Sequence, residues 1–154
     1  MAGNEGLLSM ENPLFKEFAF YAMVVIMKMF VVHLSVSYYR ITRNVFVSAE
    51  DVKIADPSGK LKINRNDPVV ERHRAAHLND MENIIPFVLV GLFYVTTNPA
   101  ASTAILLFRI FTGSRIVHSI VYLFHVPQPA RALAFGVGIG VNCYMGAIAL
   151  QQFL

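Results

Sequence analysis

A single cysteine, Cys143, stands among 154 residues, so no internal disulfide holds this chain together. It lies in an apolar stretch and reads as a packed small residue rather than a nucleophile. Basic residues are missing from both ends: no Lys or Arg precedes Leu14, and none follows Arg131. Only Glu5 and Glu11 are charged ahead of the first apolar run, which argues against a cleaved leader and for an uncleaved anchor. Alternation of basic and aromatic residues is also absent, so the net charge of +3 is not a nucleic-acid footprint. There is no low-complexity segment and no internal repeat, and without an inverted repeat the chain lacks the architecture of an alternating-access transporter.

What the chain has in abundance is apolar surface: 55% of its residues are hydrophobic and the mean hydropathy is +0.51. A spanning helix needs about 20 residues, and four stretches qualify, at 14–43 (apolar body 18–39), 68–97, 102–124 and 129–153. One connection, 44–67, is long and rich in Asp, Lys, Ser and Gly; those at 98–101 and 125–129 are short. Short turns make consecutive helices antiparallel neighbours, so the expected fold is all-α, an integral-membrane four-helix up-down bundle forming one domain over 1–154. Asp67-Pro68 reads as an N-cap followed by proline at the first helical position. Asn98-Pro99 reads as a stop and a new start, and Pro127 and Pro129 leave Arg131 in the opening turn of the last helix. Pro86 predicts a kink inside the second helix, with neighbouring helices satisfying the freed carbonyl. Arg43, Lys53, Lys60, Lys62 and Arg65 cluster on and beside the long loop, whereas Lys16, next to Glu17, is alone at the opposite end. The loop is therefore expected in the cytosol, with both termini across the membrane.

Residues 71–83 carry nine polar or ionisable side chains out of thirteen, then run without a break into the apolar stretch 84–95. Ionisable groups at membrane depth persist only when they face a bundle interior or a wet cavity. The polar positions go around the helix: Arg72, Asn79 and Asn83 near one face, Arg74 and His77 near another. Two readings stand side by side. One is a buried structural network, Glu71 with Arg74 and Asp80 with an arginine of a neighbouring helix; the other is a ligand site. Lys28 and His33 read as inter-helix partners. Arg109, Arg115 and His118 interrupt the third helix, and the i, i+3, i+7 spacing of Arg115, His118 and Tyr122 points one face into the bundle. Arg40 is either a snorkelling anchor or part of a site. The antiparallel topology gathers Arg40, the first half of helix two, Arg115 to Tyr122, and Arg131 at one depth. An arginine-rich pocket with one carboxylate suits a small polyanion bearing one ammonium group. The tripeptide glutathione has that charge pattern, and an arginine aimed at its sulfur would favour the reactive thiolate.

Four segments carry a family resemblance: Tyr38-Tyr39-Arg40-Ile-Thr-Arg43-x-Val-Phe46, the Val70 to Phe87 block with His77-Leu-Asn79-Asp80-Met-Glu82-Asn-Ile-Ile-Pro86, Arg115-Ile-x-His118-x-Ile-x-Tyr122-Leu, and Pro127-Gln-Pro-x-Arg131-Ala-Leu. In order and over roughly residues 14–150, they resemble the membrane-associated proteins of eicosanoid and glutathione metabolism. The resemblance implies a homotrimer with three pockets between subunits, open to cytosol and lipid. It implies that Arg40, Arg74, His77, Asn79, Glu82, His118 and Tyr122 contact glutathione and that Arg131 holds the thiolate. The implied reaction is conjugation of glutathione, a co-substrate, to lipophilic electrophiles delivered by membrane lipid, with reduction of lipid hydroperoxides beside it. It calls for no metal. The implied location is the endoplasmic reticulum membrane, with the mitochondrial outer membrane second. Ala75 replaces a second arginine that relatives commonly carry, and Val52 replaces an activating cysteine. Ala132 and Leu78 depart from the serine and arginine of the prostaglandin E synthase branch, which makes that isomerase the runner-up. A non-catalytic lipid-binding scaffold is the third reading.

Overall fold

The computed structural model describes residues 6–154; Glu5, half of the acidic pair at the N-terminal end, lies outside the described residues. Among those described, the regular structure is helical throughout: α1 Pro13–Thr42, α2 Ala49–Ala55, α3 Pro68–Thr96, α4 Ala101–Leu123 and α5 Ala130–Leu150, which ends in a 3-10 turn, Gln151–Phe153. The four long helices have the length and apolarity to cross a membrane. Two start where side-chain acceptors meet proline. The Asn12 side chain takes the Leu14 amide ahead of α1, and Asp67 takes the amides of Val69 and Val70 ahead of α3, with proline in the first turn of each. Asp67 also receives Nε of Arg43 at 3.0 Å, tying the ends of α1 and α3 together. The Val70 amide, and after it Arg43, hold the Asp67 carboxyl below the usual carboxylate range.

The long connection is not plain loop. Ser48 caps α2 by accepting the Asp51 amide, and Glu50 and Asp51 stand in its first turn, where they complement the helix dipole.

The apolar core fills the half of the bundle away from that connection. Phe87 and Phe111 stack at 3.9 Å, and Phe18 meets Phe108 at 5.4 Å and Phe87 at 5.9 Å. All four rings are buried. Gly91 lets α1 and α3 approach this closely, because a Cβ there would overlap the Phe18 ring. Pro86 leaves α3 helical, and the carbonyls around it find side-chain donors. Asn83 Nδ2 donates to the Asn79 carbonyl at 2.8 Å, and Asn142 of α5 donates to the Asn83 carbonyl at 3.2 Å. The donor from a neighbouring helix thus reaches the carbonyl next to the one Pro86 frees.

Helix length positions the polar half. At 29 residues α3 is about 43 Å long, against a hydrocarbon thickness of about 30 Å. With Thr96 at the far boundary, the first two turns, with Arg72 to Arg74, stand at headgroup level or beyond. Asp80 and Glu82 fall inside. Cys143 differs from its expected placement: it is exposed on the outer side of α5, because Val141, Asn142 and Met145 take the inward positions.

Candidate functional site

The polar half is organised by one carboxylate. Asp80 is fully buried, and its Oδ1 receives Lys28 Nζ of α1 at 2.5 Å and Arg115 Nη2 of α4 at 3.0 Å. Arg115 Nη2 also donates to Asn79 Oδ1 at 2.7 Å and lies 3.2 Å from His118 Nδ1. Asp80 therefore fixes Arg115, and Arg115 fixes Asn79 and His118. Both the neighbouring arginine expected for Asp80 and the inter-helix role expected for Lys28 are present. Two cations against one carboxylate leave one excess positive charge inside the bundle. Nε and Nη1 of the buried Arg115 and Nδ1 of His77, with side-chain oxygens of Asn83, Thr112 and Asn142, have no hydrogen-bond partner among the described residues.

On the α1 side of α3, His33, Arg40, Glu71, Arg74 and His77 line a cleft of about 300 Å³. The rings of His33 and His77 are 4.9 Å apart. Glu71 and Arg74 pair at 3.6 Å, but both are exposed at the mouth of this cleft, so the expected buried pair is a surface one. Arg40 is no simple anchor: it pairs with Asp51 of α2 at 3.5 Å. On the other side of α3, the half-exposed Arg131 of α5 places its guanidinium 4.6 Å from the centre of the Tyr122 ring, a cation–π contact. The Tyr122 ring lies 5.7 Å from that of buried His118, and Arg72 Nη1 donates to the Tyr122 carbonyl at 3.2 Å.

The sequence-derived set thus divides in two. Arg40, Arg74 and His77 share the α1–α3 cleft; His118, Tyr122 and Arg131 form a chain along α4 and α5, with Asn79 tied to it through Arg115. The body of α3 separates the groups. Glu82 joins neither: it is exposed and makes no ion pair among the described residues. Two of the polar contacts outside the sequence expectations bear on the α1–α3 cleft and its flank. Asp51 holds Arg40, and His73 Nδ1 lies 2.7 Å from Ser35 Oγ with its ring against Tyr39. The first had a signal, since Ser48 followed by Glu50 and Asp51 is a helix start; the second had none. Among the described residues no cluster of His, Cys, Asp and Glu is arranged to hold a metal ion.

The model of the MAPEG family matches residues 18–151. Microsomal glutathione S-transferase 1 of Homo sapiens is 48% identical over 146 residues, which is 94% of each chain. The Sus scrofa protein of that name is 47% identical over the same length. Prostaglandin E synthase of Bos taurus is 35% identical over 130 residues, 84% of this chain and 83% of its own.

Asp80→Asn should destabilise the bundle by about 3–5 kcal/mol, since two buried cations lose their counter-charge at once. Thermal unfolding in detergent measures this. Adding Lys28→Met should restore part of the loss, because one orphaned charge goes with it; a double variant no more stable than Asp80→Asn would remove Lys28 from the network.

Proposed function

The chain belongs to the MAPEG family, and on that premise we propose that it is a membrane-bound glutathione transferase that conjugates the thiolate of glutathione to lipophilic electrophiles. Identity of 48% along 94% of a microsomal glutathione transferase carries this reading. The 35% identity of a prostaglandin E synthase places the isomerase activity second. Turnover of prostaglandin H2, assayed beside conjugation of chlorodinitrobenzene, separates the two.

In this reading Arg40, Arg74 and His77, with Asn79, Glu82, His118 and Tyr122, hold the tripeptide. The arginines take its carboxylates and Glu82 takes the ammonium or an adjacent amide. Arg131 lies against the sulfur, and a charge-assisted hydrogen bond from its guanidinium favours the thiolate over the thiol. Tyr122 holds that guanidinium in place through its ring face. The thiolate attacks the electrophilic carbon, and the charge that develops is balanced by a cation already fixed in a water-poor site. The electrophile arrives by partition into lipid, which is also the route for lipid hydroperoxides in the second reaction. The excess positive charge around Asp80 favours anionic glutathione over neutral thiols.

A homotrimer accounts for the division of these residues across α3. The outer face of α3 exposes Glu71, Arg74, Leu78, Glu82, Ile85 and Leu89 in the protomer. Charged side chains on an uncovered face at membrane depth call for a partner surface. A second copy packed there would set the Arg74 and Glu82 of one subunit against the Tyr122 and Arg131 of the next. The proposed location is the endoplasmic reticulum membrane, with the long basic loop in the cytosol where glutathione is present.

Three outcomes follow. Arg131→Leu should lower conjugation about 10²–10³-fold with unfolding temperature unchanged; near-normal turnover of the purified variant would take Arg131 out of the mechanism. Glu82→Gln should weaken glutathione binding by roughly 2–5 kcal/mol while stability holds. Loss of stability with binding intact would make Glu82 a structural partner across the subunit contact. Native mass measurement in mild detergent should give three chains per particle, and monomer alone would sink the assembly.

A further inference from the structure

At the end of the bundle opposite the long connection, α1 and α4 border an open cleft of about 610 Å³. Along α4 its Arg109 stands nine residues, about two and a half turns, from His118 of the candidate site, and the cleft shares no residue with that site. Its walls are apolar, with Leu14, Phe20 and Ile105, but its charged groups are Lys16, Glu17 and Arg109. Arg109 Nε donates to Tyr21 Oη at 2.9 Å. Arg109 and Tyr21 each lie eight residues into their helix, about 12 Å below its start. An arginine at that depth on the outside of a bundle needs an anionic partner or a path to the interface. Among the described residues Arg109 makes no ion pair, and its bond to Tyr21 uses Nε alone. The two terminal nitrogens, the fork that binds an oxyanion in bidentate fashion, remain available. Lys16 stands more than a turn closer to the end of the helix, at headgroup level. α1 and α4 both pack on α3, and the cleft they border shares no residue with the exposed stripe on α3.

We infer that this cleft is a binding site for an anionic phospholipid of the leaflet opposite the long loop. Arg109 and Lys16 bracket the lipid phosphate, and an acyl chain runs down along Phe20 and Ile105. Two cations against the single carboxylate of Glu17 leave one positive charge, which matches a lipid of net charge −1 and not a zwitterionic one. Tyr21 restrains the guanidinium, since its hydroxyl accepts from Nε and leaves the two terminal nitrogens free for the phosphate.

Purified protein in detergent is titrated with phosphatidylglycerol, with phosphatidylcholine of the same acyl chains, and with inorganic phosphate, and bound lipid per subunit is counted by native mass spectrometry. The wild-type chain should retain one phosphatidylglycerol per subunit in preference to phosphatidylcholine, and millimolar phosphate should not displace it. Lys16→Gln and Arg109→Gln should each weaken phosphatidylglycerol binding about fivefold, and the pair roughly 30-fold, the scale set by one basic residue at a membrane surface. Conjugation activity, carried at the other end, should stay unchanged. Lys16 is an exposed first-turn residue, so its variant decides the matter even where Arg109→Gln does not fold. Equal retention of the two lipids, displacement by free phosphate, or a folded variant with wild-type preference would overturn the inference.

Discussion

The loop half of this bundle depends on one carboxylate. Ionised side chains at membrane depth are tolerated only in compensated clusters, and Asp80 compensates two, Lys28 from α1 and Arg115 from α4. That contact fixes the relative rotation of three helices. It also holds Asn79 and His118 through Arg115. Pure packing does the same work in the other half, where Phe18, Phe87, Phe108 and Phe111 interlock. One chain thus combines two ways of holding helices together, each in the half of the bundle where its own chemistry suits.

Much of this was legible in the residues. Four apolar runs with Asp67-Pro68 and Asn98-Pro99 between them define four spans, because the bilayer sets the length and proline sets the start. The spacing of Arg115, His118 and Tyr122 turns them inward, as observed for Arg115 and His118. Other features depend on neighbours that periodicity does not name. A helical pattern says that Glu71 and Arg74 are within reach of each other, but not whether another helix covers them. Cys143 sits in a stretch apolar on every side, so nothing local says which side faces in. The seven residues of α2 lie in a polar connection and carry no apolar stripe, so periodicity does not separate this helix from loop.

The division of polar residues between the two flanks of α3 also has a physical root. A helix polar over most of its circumference presents different groups to each neighbour, so α1 takes Arg74 and His77, while α4 takes Asn79 and α5 leans Arg131 onto Tyr122. A ligand that touched both flanks of one α3 would have to reach around it. Shared pockets between copies remove that difficulty, and this is why the proposed trimer and the proposed chemistry stand together.

The Lys28–Asp80 contact also bears on biosynthesis. Helices enter a membrane in the order in which they are made, and a lone charge at the centre of a span opposes insertion by about 2.5–3.5 kcal/mol. α1 and α3 are adjacent spans in that order, and their opposite charges face each other at contact distance. They can leave the translocation machinery as a hairpin in which Lys28 and Asp80 neutralise each other. Arg115, synthesised later, then meets a carboxylate already in place. The pairing that orders the finished bundle also provides a sequence of admission, in which each buried charge is preceded or accompanied by the one that tolerates it.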